Sequence, residues 1–199
     1  LTTCVERITH WVIRPTRRLF ANALSALTKS EYCAIFAQYS GHNKEKDPMS
    51  SVEETIMNLL KERQVPHEVL DHPAVTNNAA MAEALKVPPA DTVKNLMLET
   101  TEGEIILVVL PGDQRFDSKR LTAKAGTKRV VFAKPDKVLE FAGCEVGCVP
   151  PFGHAKPVRV FLDSALLSKG QVYFMPGMFT KSVKLEAARL PELGTMIQF

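Results

Sequence analysis

From residue 49 onward the apolar positions follow two periods. Val52, Ile56, Leu59 and Leu60 recur at helical spacing and Ser51 with Glu54 forms a capping box, which predicts a first helix running to Gln64. His67–Leu70 reads as a short strand, and the Ala-rich stretch Thr76–Leu85 as a helix stopped by Val87-Pro88-Pro89. Two apolar runs, Val93–Glu99 and Ile105–Leu110, are joined through Thr101-Glu102-Gly103 and predict a hairpin. Ser118–Ala125 and Pro135–Phe141 predict helices, the second opened by a proline suited to a first turn. Arg129–Ala133, Val158–Leu162, Val172–Met175 and Val183–Glu186 predict strands, and a terminal helix runs to Leu193. Strands and helices in this alternation predict one mixed α/β domain over residues 49–199.

Residues 1–48 break that pattern and are expected to form a separate extension. Trp11, Val12, Leu19, Phe20, Leu24 and Leu27 are interleaved with Arg7, Arg14, Arg17 and Arg18, and the polar run Ser40–Pro48 has the composition of a linker. The Arg-rich opening is similar in composition to an organelle transit segment. An added, species-specific extension is the preferred expectation.

Charge divides along the same boundary. Residues 1–48 hold seven Lys/Arg and four Asp/Glu, which accounts for the net charge of +3, and the remainder is balanced. Within that neutral body, Arg115, Lys119, Arg120, Lys124, Lys128, Arg129, Lys134 and Lys137 stand against only Asp117 and Asp136. This zone is either a solvated helix surface or a site for a polyanion. The run Ile105–Leu110 is far shorter than the roughly 20 apolar residues a membrane span needs, so a membrane role is not expected. Four cysteines are too few for a disulfide scaffold, which points to a reducing compartment and the cytoplasm.

Candidate chemistry is sparse. There is no G-x-S-x-G elbow, H-E-x-x-H, P-loop or G-x-G-x-x-G, and neither a metal nor a nucleotide cofactor is expected. Cys144 and Cys148 lack partners at zinc spacing and read as small buried hydrophobes. Two features remain. Alternation along Val93–Glu99 puts Lys94 on one face with Leu96 and Leu98, where an ammonium either reaches water or meets a ligand. The loop Gly147-Cys148-Val149-Pro150-Pro151-Phe152-Gly153-His154 is stiffened by its prolines; it is either a tight turn or a frame that offers backbone N–H groups to an oxyanion.

In order along the chain, Val93-Lys94-Asn95-Leu96, Val109-Leu110-Pro111-Gly112-Asp113-Gln114-Arg115, Gly147 to Gly153, Phe161-Leu162-Asp163 and Val172-Tyr173 resemble the YbaK/EbsC and prolyl-tRNA-synthetase-associated editing-domain family. The resemblance spans residues 50–199. It implies a mixed α/β domain around a curved sheet, no cofactor, and hydrolysis of mischarged aminoacyl-tRNA, typically tRNA(Pro) carrying alanine or cysteine. A non-catalytic tRNA- or synthetase-binding module with the same fold is the alternative, and tRNA with an aminoacyl-tRNA synthetase are the implied partners. By position, Lys94 matches the family's functional lysine, and Gly147 with Pro151 the ends of its G-x-x-x-P loop.

Cys148 and Pro150 depart from the family pattern, where amino-acid preference is expected to be set. On this reading Lys94, Gly147 and Pro151 serve catalysis, while Cys148, Val149, Pro150, Phe152, Gly153, His154 and Asp163 line the substrate. Arg115, Lys119, Arg120, Lys124, Lys128 and Arg129 would contact tRNA phosphates, and Phe116 or Phe152 would stack on a terminal base. Asp163 is equally explained as a helix N-cap.

Overall fold

The computed structural model describes residues 48–199, so all of the predicted extension except Pro48 lies outside the described residues. The first helix, α1 (Pro48–Glu62), begins ahead of Ser51, and the pair read as a capping box therefore sits inside it. Proline suits a first turn because its missing N–H has no intrahelical acceptor there. After β1 (His67–Asp71), α2 (Asn78–Leu85) starts later than the apolar pattern suggests because Asn77 caps it, accepting from the Ala80 amide at 2.9 Å. A 3₁₀ turn, Pro89–Asp91, leads into β2 (Val93–Thr100) and β3 (Ile105–Pro111), the expected hairpin, with Lys94 opposite Leu110.

The helix α3 (Ser118–Ala125) has its predicted limits, capped by Asp117 and closed by Gly126 in the left-handed region. It is followed by β4 (Val130–Phe132), α4 (Pro135–Ala142), β5 (Arg159–Leu162), a short α5 (Ser164–Leu167), β6 (Gln171–Phe174) and β7 (Lys181–Glu186). The expected terminal helix is instead a 3₁₀ segment, Ala187–Leu193, that contains Pro191; a proline there removes a donor an α-helix would use. A further strand absent from the sequence reading, β8 (Met196–Gln198), pairs parallel to β5.

The mixed α/β class is as expected, with the strands divided between two sheets. One has the order β1-β7-β6, the other β4-β2-β3-β5-β8, and a single bridge from Thr92 to Tyr173 joins them. In the larger sheet β3 lies between β2 and β5 and every one of its residues is buried, which explains its unbroken apolar run. Its side chains serve two cores. Ile105, Leu107 and Val109 join Val93, Met97 and the buried side of α1, while Ile106, Val108 and Leu110 join Leu98, Leu121, Phe161 and Phe199 beneath α3. Among the described residues no helix is long and apolar enough to cross a membrane.

The turn after β3 is pinned to the start of β2. The Gly112 amide donates to the Thr92 carbonyl at 2.7 Å, and a Cβ on Gly112 would stand 1.9 Å from Thr92 Oγ1 and 2.7 Å from the Pro89 carbonyl oxygen. Gly112→Ala is therefore expected to lower the unfolding free energy by about 2 kcal/mol, the scale of overpacking a tight site. Urea unfolding checks this as a lower midpoint at unchanged slope; an unaltered midpoint would mean the turn yields freely.

Candidate functional site

Lys94 occupies the second position of β2, and strand alternation puts it on the α3 side of the sheet with Leu96 and Leu98. Its side chain is neither buried nor free: the ammonium donates to the Gln114 carbonyl at 2.7 Å. Partial burial lowers the Lys94 pKa, Asp113 opposes that, and the neighbouring Arg115 guanidinium adds to it. The turn that supplies the Gln114 carbonyl is the one fixed by Gly112 and Thr92, so the Pro111–Arg115 motif positions the lysine head group.

Asn95, the next residue, points to the other side, and there its amide nitrogen donates to the Val149 carbonyl at 2.8 Å. The glycine/proline loop thus lies against the opposite face of β2 from Lys94. Asn95 was not singled out from sequence; the fixed spacing to Lys94 is its only signal. Its buried Oδ1 has no partner among the described residues.

Three consecutive carbonyls of the loop are held, one from within it and two from outside. The Cys148 carbonyl accepts from the Gly177 amide at 3.1 Å, that of Val149 from Asn95, and that of Pro150 from His154 Nε2 at 2.9 Å. Gly147 takes φ 105° and its missing Cβ leaves room for the Thr76 carbonyl, while Gly153 takes φ 77° beside Ile56. With Cys148 N–H bonded to the Glu145 carbonyl and two prolines lacking N–H, the amides of Gly147, Val149, Phe152, Gly153 and His154 have no acceptor among the described residues. Amides of that kind are what an oxyanion requires.

The two faces meet at a strand edge. On the side away from β3, β4 covers β2 only from Leu98 to Thr100, and the Ala133 amide closes on the Met97 carbonyl. Asn78 caps the far end by donating to the Val93 carbonyl at 2.9 Å. Among the described residues no strand covers the stretch between them, which has Lys94 on one side and the loop on the other.

The remaining candidate residues differ in exposure and in partners. Arg115, Lys119, Arg120, Lys124, Lys128 and Arg129 are all exposed, and none is in an ion pair among the described residues. Lys119 and Arg120 sit in the first turn of α3, the end where the helix dipole favours anions over cations. Lys137 is instead paired with Glu140 at 3.1 Å. The Phe152 ring is buried against Phe174 at 5.4 Å between centroids, which removes it as a base-stacking surface. Cys148 is wholly buried and its thiol donates to the Glu145 carbonyl at 3.3 Å; the neighbouring Cys144 thiol, hydrogen-bonded to it and buried, is pushed well above the ordinary thiol range. Asp163 accepts from the Ala165 amide at 2.9 Å as the N-cap of α5. Among the described residues no group of three or more His, Cys, Asp or Glu gathers as a metal site.

Comparison with known proteins places the chain in a family. The family model for an aminoacyl-tRNA editing domain matches residues 72–193. The multifunctional Ser/Thr-tRNA deacylase ProXp-y of Escherichia coli strain K12 is 27% identical over 143 residues, covering 70% of this chain and 86% of that protein. A proline–tRNA ligase of Burkholderia multivorans is 34% identical over 112 residues, 53% of this chain but only 19% of the ligase. A solved structure whose description proposes a trans-editing enzyme for prolyl tRNA synthetase superposes with a TM-score of 0.65 at 25% identity, covering 74% of this chain and 94% of that one.

The loop's closure carries a pH signature. Burial lowers the His154 pKa below its ordinary 6.5, against the opposing pull of the Pro150 carbonyl. Below pH 6.5 the unfolded chain takes up a proton that the folded chain refuses, so stability falls with pH until the folded-state value is reached. The slope is expected to be at most about 1.4 kcal/mol per pH unit. Unfolding curves measured from pH 7 downward in wild type and His154→Gln check it: the variant should lose this component, and identical profiles would overturn it.

Proposed function

The chain belongs to the aminoacyl-tRNA editing domain family, and from that premise we propose that it hydrolyses the ester joining a wrongly attached amino acid to tRNA. The observation that carries this reading is the open edge of β2, with the Lys94 ammonium held by the Gln114 carbonyl on one side and a loop of unsatisfied amides on the other. An aminoacyl ester is already activated. Its hydrolysis needs a positioned water and donors for the negative charge that develops on the carbonyl oxygen, and it needs no strong protein nucleophile.

In this scheme water adds to the ester carbonyl, the bond to the ribose oxygen breaks, and the free amino acid and an uncharged tRNA leave. The amides of Gly147, Val149 and Phe152 face the amino-acid end, and Lys94 holds the terminal phosphate or the carbonyl oxygen. The exposed cations of the 115–129 segment take acceptor-stem phosphates, with tRNA as partner and an aminoacyl-tRNA synthetase as the second. The cytoplasm is the setting that fits this work. Alanine and cysteine on tRNA(Pro) are the substrates the sequence resemblance implies; serine and threonine, named for the Escherichia coli relative, belong in the same trial.

A panel of tRNAs mischarged with these four amino acids tests the proposal. Wild type is expected to release at least one, and Lys94→Ala to do so roughly 10²-fold more slowly, the scale of losing one stabilising donor, with an unchanged melting temperature. Equal rates would remove Lys94 from the mechanism. No turnover by wild type on any tRNA would favour the binding module. Filter binding across a salt series gives a second reading: Arg115→Ala and Lys119→Ala should each flatten the slope of log K against log salt by about 0.7–0.9, as expected for one lost phosphate contact. An unchanged slope would clear that residue of the interface.

A further inference from the structure

The most exposed large apolar side chain among the described residues is Phe132, at 66%. It ends β4, an edge strand, and its register opposite Leu98 turns the ring to the same side of the sheet as Lys94. Phe116 stands edge-on beneath it, centroids 6.2 Å apart at 87°, and is itself packed on the core under α3. One ring is thus braced from below while its own surface is left to solvent. Exposure of one ring is ordinary by itself; here the exposed ring is paired with a second aromatic, which gives a flat apolar surface.

Charge identifies the class of occupant that suits it. The stretch 128–135 contains Lys128, Arg129 and Lys134 and no carboxylate, and Arg115 flanks Phe116. None of these four cations has an ion-pair partner among the described residues. A second copy of this chain docking edge to edge through β4 would bring like charges together, which opposes such a pairing. A strand of RNA has the complementary character: phosphates for the cations and flat bases for the ring. A duplex hides its base faces in stacking, so only unpaired nucleotides can use the ring.

We infer that Phe132, braced by Phe116 and flanked by Arg115 and Lys134, is a stacking platform for an unpaired base of an RNA single strand. The inference rests on the editing function proposed above, for which it sets the path of the tRNA's unpaired end: over β4, then along the open edge of β2 toward Lys94. Stacking on the ring fixes the strand by its base plane without reading its sequence.

Fluorescence anisotropy with a labelled single-stranded RNA hexamer of cytidine and adenosine, and a duplex of equal length as control, tests it on the full chain. Wild type should prefer the single strand. Phe132→Ala should bind it roughly tenfold or more weakly, as loss of one base–aromatic stack does, and Phe132→Leu should be similarly weak. Phe132→Trp should bind at least as well as wild type. Equal affinity of Phe132→Ala and wild type would overturn the platform, as would restoration by leucine, which supplies apolar area without a ring. A change of molecular mass in solution on Phe132→Ala without loss of RNA binding would assign the patch to self-association instead. Because no ester is present in the hexamer, this outcome is independent of whether any mischarged tRNA is hydrolysed.

Discussion

A buried hydroxyl organises the part of the molecule that matters for chemistry. Thr92, with no exposed surface, donates through Oγ1 to the Pro89 carbonyl at 2.8 Å and accepts from Asn78 at 3.1 Å, while its own carbonyl takes the Gly112 amide. Its backbone also makes the bridge to Tyr173 that ties the two sheets. One residue therefore sets the relative positions of α2, the 3₁₀ turn, the beginning of β2, the turn after β3 and the smaller sheet. Each bond is worth only about 1 kcal/mol net, but leaving any of these groups unpaired in the interior costs more, so the network behaves as a unit. Lys94 lies two residues beyond this junction, and Gln114 two residues beyond Gly112. The lysine and the carbonyl that holds it are placed by the same anchor.

Much of this was legible from residues alone, for local reasons. The limits of α3 follow from Asp117 and Gly126, which act on their nearest neighbours. The hairpin of β2 and β3 follows from two apolar runs around a short polar turn, and Lys94 stood out because alternation put a cation among Leu96 and Leu98. What escaped depends on distant partners. β8 is three residues long and exists through parallel pairing to β5, which no local pattern announces. The first helix begins at Pro48, ahead of the Ser51–Glu54 pair, so that local signature did not mark its start.

The candidate site divides in the same way. Lysine and loop were both identified, yet their placement on opposite faces of β2 is a property of the strand between them, and Asn95 gave no sign of holding the loop until its partner was known. The exposure of Phe132 likewise depends on where β4 stops and on what α3 covers. Hydrophobicity predicts burial on average, and the informative residue is the one that violates it.

The inward carbonyls of the Gly147–His154 loop have one more consequence. With the Cys148, Val149 and Pro150 carbonyls held by Gly177, Asn95 and His154, these peptide planes turn only by breaking a hydrogen bond. In the proposed function a frame so held would sort amino acids by size: a residue too bulky would be turned away at the threshold, and a smaller one admitted without the frame adapting to it.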